Sequence, residues 1–365
     1  MTFRSLIILA CFYLVCATSC MAGDMVLLHS SAHPNAWTQS VARGLCGKAA
    51  DCRVEEFYLG SADQGEDFFE QKYDTLCPAW CGQAPDAVVA DGEVAFAFVR
   101  KYRGEVFGDA PVVYLGMGRP EEDLAQQCGR CSGVPLRLPV EKTVDLVFRL
   151  RPDTTMLVCV MDDAVGNEGL RSRVEAAMEP YLSHASLIFP GHEPGDDGGL
   201  DGSTLAEVAS SVPVGGAVLF LHFVRDNAGN PVDEGGTVRM LASRSRAPVF
   251  VLTDRFMDSG VLGGVVARGE DQGRLAAELA ARLAKEPAEA VRPESARPET
   301  MADLTVLARF GIPADRLPKN TEGLKPPAAP EESSGLRGMG PWLPSVILIV
   351  PLWLFIRRLR AKKLH

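Results

Sequence analysis

The sequence predicts an α/β protein of two doubly wound parallel-sheet lobes, followed by one C-terminal transmembrane helix. Three observations predict it. Short continuous apolar runs alternate with helical stretches, as in strands buried on both faces. The alternation restarts near Val140, which implies a second lobe. Both ends are hydrophobic and leave a body of roughly 300 residues between them, enough for two real cores.

In the first lobe, assigned to 24–139, Met25 to His29 and Val54 to Leu59 are predicted strands, with a helix from Ala36 to Ala50 between them. A helical stretch from Asp67 to Leu76 leads to the strand Ala87–Ala90. A helix with Val94, Phe98 and Tyr102 on one face then precedes the strand Val112–Leu115. The second lobe, 140–256, opens with the amphipathic helix Val140–Leu150. Its strands are expected at Thr155–Met161, Ala185–Phe189, Ala217–Val224 and Pro248–Thr253, with helices at Gly166–Leu182, Thr204–Ser210 and Gly235–Arg244. Residues 257–286, with Leu275, Leu279 and Leu283 in line on a strong helix, are expected to return to the first lobe. A closing segment, 287–318, carries a short helix from Met301 to Phe310, and 319–340 is a linker rich in proline and small polar residues.

The ends set the expected compartment. Residues 1–22 have the pattern of a signal peptide: Arg4, an apolar run from Leu6 to Val15, then small residues, with cleavage after Ala22. Ala17-Thr18-Ser19-Cys20 resembles a lipoprotein box, but Ala17 stands where leucine is usual. Pro341 to Ile356 is uncharged, and at ~1.5 Å per residue spans roughly 24 Å, slightly less than a hydrocarbon core. Trp342 and Trp353 suit the interfaces, and five cations follow between Arg357 and Lys363. The segment 341–359 is therefore expected to hold the chain in the inner membrane. That leaves a short cytoplasmic C-terminus and a periplasmic body. A tag that is cut off would release the body instead. Without Arg4 and those tail cations the body carries a charge near −16, a poor surface for nucleic acid.

Of ten cysteines, Cys11, Cys16 and Cys20 lie in the signal region. Proximity suggests disulfides Cys46–Cys52, Cys77–Cys81 and Cys128–Cys131, with Cys159 a core residue. Cys128-Gly-Arg-Cys131 also has the spacing of a redox motif, and the four thiols of the last two pairs could hold zinc; structural disulfides are preferred.

In open parallel sheets ligands meet the loops at the C-terminal ends of strands. That rule selects His29, Ser30 and Trp37, then Asp91, then Gly116 in the first lobe, and Asp162, Phe223, Arg225 and Asp254 in the second. Met117, Arg255 and Phe256 share those loops. Together they offer the mixture of aromatic, hydroxyl, acidic and basic groups that a cleft for a small polar molecule needs. Each has a structural alternative: Asp91 and Asp162 as helix caps, Trp37 as core, Arg225 in a turn with Asp226. No nucleophile elbow, His-Glu-x-x-His, phosphate loop or dinucleotide fingerprint appears, and His184, His192 and His222 lack metal spacing. No enzyme activity, cofactor or metal is expected.

Several stretches then fall into one pattern. They are Val26-Leu27-Leu28-His29-Ser30 with His33-Pro34 and Trp37-Thr38, Pro111 through Gly116, and Leu221-His222-Phe223-Val224-Arg225-Asp226 with Gly229. The pattern continues with Asp254 through Gly263-Gly264 to Gly269–Arg274, then Phe310-Gly311-Ile312 and Arg316-Leu317-Pro318. The chain resembles the substrate-binding-protein family of ABC transporters, members of which also occur as periplasmic sensor domains of histidine kinases. The resemblance runs from about Met25 to Pro318. It implies a type I periplasmic-binding-protein fold that closes on a small solute, with an importer permease or, alternatively, a sensor kinase as membrane partner. Ser31 and Ala32 stand where an aromatic is expected, so ligand identity is not carried over.

Overall fold

The computed structural model describes residues 24–47, 53–60, 67–80, 84–118, 130–162, 167–192, 199–286 and 290–324. Both hydrophobic ends, residues 1–22 and 341–359, lie outside the described residues, as do Cys52, Cys81 and Cys128. Among the described residues no helix is long and apolar enough to cross a membrane.

The first sheet is fully parallel in the order β2-β1-β3-β4-β5, built from Asp24–His29 (β1), Arg53–Tyr58 (β2), Ala87–Asp91 (β3), Val112–Leu115 (β4) and Cys131–Val134 (β5). Strand periodicity explains its two covered faces. Met25 and Leu27 of β1, with Val89 and Val113, point into one core, while Val26 and Leu28, with Val88 and Val112, point into another. Ala36–Cys46 (α1) covers the first face, and Phe68–Trp80 (α2) and Glu93–Val106 (α3) cover the second. The start of α1 is fixed by a capping box: Asn35 Oδ1 accepts from Thr38 N at 3.0 Å, and Asn35 N donates to Thr38 Oγ1 at 2.9 Å.

The second sheet has the order β12-β11-β10-β9-β8-β6-β7. Val140–Leu150 (α4) opens this lobe, as predicted to the residue. Met156–Met161 (β6), Asn167–Met178 (α5), Ser186–Ile188 (β7), Gly202–Ser211 (α6), Gly216–His222 (β8), Glu234–Arg244 (α7) and Val249–Phe250 (β9) follow. Leu157 and Cys159 of β6 face one side with Leu219, and Val158 and Val160 face the other with Phe220. Burial raises the Cys159 thiol well above its ordinary range, so it stays protonated in this core.

Three expectations are corrected by the strand pairing. Residues 257–286 do not return to the first lobe as a unit: Gly263–Val266 (β10) pairs with β9 and with Glu299–Asp303 (β11) in the second sheet. The return begins only at Gly269–Leu283 (α8), which joins the Leu279–Leu283 face to the first core. The expected helix from Met301 begins instead as β11, antiparallel to β10, and only Leu304–Arg309 (α9) is helical. Burial of Thr300, Met301 and Ala302 together within the sheet overrides helix propensity there. Glu322–Leu324 (β12), expected as linker, adds a last strand beside β11. Residues 291–296 lie on the first lobe, where Val291 is buried and Glu294 N donates to Gly133 O at 3.0 Å. The chain thus passes between lobes three times: before α4, before α8 and before β11.

The expected Cys46–Cys52 disulfide is corrected, because Cys46 at the end of α1 is a free thiol; Cys131 opens β5 with its Sγ 3.8 Å from Ser132 O.

Helices α1 and α8 touch backbone to backbone. A Cβ on Gly44 would lie 2.0 Å from Glu270 O, and one on Gly273 would lie 2.1 Å from Val41 O. Only hydrogen fits at either place. Gly104 in α3 is the opposite case, exposed and with nothing within 4 Å of its would-be Cβ. Gly273→Ala should therefore destabilise by about 1–3 kcal/mol through overpacking, whereas Gly104→Ala should stabilise by about 0.4–1 kcal/mol through the unfolded chain. Urea unfolding of the two variants checks the opposite signs.

Candidate functional site

The loops that the strand-end rule selects do converge, but on three different places. The first is a closed polar network behind the cleft wall. Asp91, 6% exposed, ends β3 and is the hub: Trp37 Nε1 donates to its Oδ1 at 3.0 Å, and His29 Nδ1 lies 2.8 Å from its Oδ2. His29 and Trp37 are buried. The other His29 nitrogen lies 3.3 Å from Glu56 Oε2, which also accepts from Tyr58 OH at 2.6 Å, and the Tyr58 ring stacks on the imidazole. Burial and that carboxylate push the Tyr58 hydroxyl up to about 12. Ser30 Oγ donates to Asp91 O and accepts from Ala95 N at 3.0 Å, capping α3 where Gly92 has no side chain to do so. Gly116 has φ +68°, and a Cβ there would lie 2.1 Å from Asp91 Oδ1, so glycine lets the carboxylate sit directly behind the loop.

The second place is a small cavity of about 240 Å³ in the second lobe, lined by Asp162, Phe223 and Arg225 with His192 and Asp226. Its groups largely hold the turn together. Asp162 Oδ2 accepts from the backbone of Val224 and Arg225 at 2.7 and 3.1 Å, and Arg225 Nη1 donates to Gly229 O at 2.9 Å. Phe223 is core.

The third place is a cleft of about 770 Å³ that takes walls from both lobes. The first lobe supplies Glu93 and Gly116–Gly118; the second supplies Phe220–His222, Glu234, Leu252, Thr253, Arg255 and Phe256; Leu136–Leu138 on the first crossing form one side. Of the nine residues selected from the sequence, only Gly116 lines it. Asp254 sits at its edge, where its carboxylate accepts from Gly269 N at 3.0 Å and from Ser40 Oγ at 3.2 Å, tying the second lobe to α1 and to the start of α8. Burial raises this carboxyl against the opposing pull of those hydrogen bonds.

The wall contributed by the second lobe is an ion-paired row. Glu234, the first residue of α7, lies 3.2 Å from His222 Nδ1 and 3.3 Å from Arg255 Nη1, and accepts from Phe223 N at 3.2 Å. Burial works to raise the Glu234 carboxyl, but the His222 hydrogen bond and the Arg255 charge prevail and hold it below the usual carboxylate value. Burial works against protonation of His222, yet Glu234, with Asp162 behind it, raises that imidazole above its ordinary value. Arg255 also lies over the Trp37 ring, 5.5 Å from its centroid, and so reaches from the second lobe to the first.

Arg255 and Phe256 were visible as members of a strand-end loop. His222 carried a signal too, as the last residue of a predicted strand. Glu234 did not: it follows β8 by a dozen residues, and an acid in a first helical turn is ordinary. Arg137, on a crossing, has no local signature.

No protein-family profile matches the sequence, and no curated protein matches it. Solved structures do. A conserved domain protein from Vibrio cholerae superposes with a TM-score of 0.56 at 13% identity, covering 83% of this chain and 100% of that one. The ABC domain from Streptococcus pneumoniae, solved in complex with L-Trp, gives 0.56 at 16%, covering 82% and 99%. A substrate-binding protein with adhesive properties from Clostridium difficile, in its ligand-free, open form, gives 0.55 at 12%, covering 84% and 100%. At such identities the likeness is one of fold, and it spans both lobes and all three crossings. The chain has the two-lobed type I periplasmic-binding-protein fold found in the solute-binding proteins of ABC transporters.

Proposed function

We propose that this chain is an exported solute-binding protein that closes its lobes around a small polar ligand and presents it to an ABC-type importer. The observation that carries this reading is the cleft of about 770 Å³, whose polar groups come from both lobes and whose walls are joined by three chain crossings. A ligand that touches both walls binds the closed form more tightly than the open one, and closure is then its thermodynamic consequence. The site holds ion pairs engaged with one another rather than a nucleophile beside a base, which favours binding over catalysis. The signal-peptide pattern and the hydrophobic segment at 341–359 support a body on the periplasmic side of the inner membrane.

A sensor role beside a membrane kinase has one observation in its favour. Arg268, at the second crossing, pairs with Glu299 at 2.8 Å and with Glu322 of β12 at 3.2 Å, so the strand leading to the C-terminal segment is tied to the moving part of the chain.

A screen of the full chain against amino acids, nucleobases, sugars and organic acids should find a solute that raises Tm, by about 2.7 kcal/mol of added stability at one hundred times Kd. The same solute should reduce the radius of gyration in solution scattering. A stabilising solute that leaves the scattering curve unchanged would count against closure, and no stabilising solute in any class against the binding reading.

The ion-paired row gives a pH signature. His222 is raised from its ordinary 6.5, so its contribution to stability is fully present below 6.5 and is lost as pH rises through its folded value. Glu234 is lowered from 4.5, so its contribution is present above 4.5 and is lost as pH falls through its folded value. Denaturant midpoints of wild type and His222→Gln should differ most between 4.5 and 6.5 and converge above neutrality. A difference that stays the same from 4.5 to well above neutrality would mean the row does not titrate as a unit.

A further inference from the structure

Arg255 has donors left over. A guanidinium has five N–H donors and accepts nothing. Glu234 takes one of them through Nη1 at 3.3 Å, and the Trp37 and Phe256 rings lie 5.5 and 5.9 Å from the guanidinium carbon. Arg255 Nε is buried with no hydrogen-bond partner, and so is the Thr253 hydroxyl two residues earlier on the same cleft-lining loop. Two unmet polar groups on one wall are costly, because each has lost water without replacing it. Both atoms are closed to water and to any ligand in this arrangement, so they are met only as the loop shifts on closure; the rest of the Arg255 side chain, 37% exposed, already lines the cleft.

The complement of a guanidinium edge beside a hydroxyl is a negatively charged, planar acceptor. Beyond this loop the lining is mixed: Met117, Leu136, Leu170, Phe220 and Leu252 supply apolar surface, and Glu93, Arg137, Arg173, His222 and Glu234 supply charged or polar groups. Resting on the cleft reading above, we infer that Arg255, with Thr253, is the specificity-determining arm of the site and reads the carboxylate of a solute that also carries an apolar portion. Glu234 engages Nη1 and leaves the remaining donors of the guanidinium for the ligand. The acid can come with or without an ammonium group, and the test separates the two.

The test is calorimetric titration of the full chain at neutral pH with four compounds of one shape: 3-phenylpropionate, L-phenylalanine, 3-phenylpropionamide and phenethylamine. At least one of the two acids should bind, and the amide and the amine should bind at least about 30-fold more weakly, the usual worth of a charge-assisted pair. Arg255→Gln should weaken the acid about 30- to 100-fold, and Arg255→Lys should restore part of that loss. Thr253→Val, a small change within a loop, should weaken it about 5- to 10-fold and serves if the arginine variants do not fold. An amide or amine that binds as tightly as the acids, or an acid affinity untouched by Arg255→Gln, overturns the inference while the cleft reading stands. Failure of all four compounds, and of octanoate and indole-3-acetate as longer acids, overturns the inference; failure of the wider solute screen is what overturns the cleft reading.

Discussion

The contact on which the candidate site depends is the one between α1 and α8. These helices come from opposite ends of the described chain, and they meet where Gly44, Gly269 and Gly273 let backbone touch backbone. Glycine normally weakens a helix, so three of them at one contact mark a place where closeness outweighs local propensity. The closeness has two results. It holds α1 so that Trp37 lies under Arg255 and Ser40 meets Asp254, and it holds the first turn of α8 so that Gly269 N can donate to the same Asp254 carboxylate. Every direct link described here between the cleft's two walls passes through one of these helices.

The architecture was largely legible in the sequence because buried parallel strands are written as uninterrupted apolar runs. β4 and α4 fall where the runs predict them to the residue. What was not legible is where a helix and the strand before it part company. In the run from Val261 to Leu283 a strand and a helix follow each other as in any βα unit, yet β10 stays in the second sheet and α8 crosses to the first. Nothing local records such a crossing. The strand β12 was hidden for a different reason: Glu-Gly-Leu has little strand propensity, and it is paired only because β11 offers an edge.

The site was half legible. The strand-end rule names loops, and those loops do gather, but it does not say which side chain on a loop faces the solvent-filled side. His29, Trp37 and Asp91 are drawn inward because a buried carboxylate must be satisfied, and an imidazole and an indole N–H do it. Asp162 Oδ2 is engaged by two backbone N–H groups of the turn. What remains facing the cleft are residues one or two positions further along, Met117 and Arg255, and residues brought in by long-range packing, Glu234 and Arg137.

The three crossings also order the birth of the molecule. The second sheet gains β11 and β12 only after α8 and the following segment have been laid on the first lobe. Until residue 303 has emerged, β10 presents an unpaired edge of backbone donors and acceptors, the kind of edge on which chains associate wrongly. The first lobe therefore has all its parts once α8 and the segment to residue 298 are made, while the second still waits for β11 and β12. The slower the chain emerges, the longer that edge stays open, and it closes only when β11 is made.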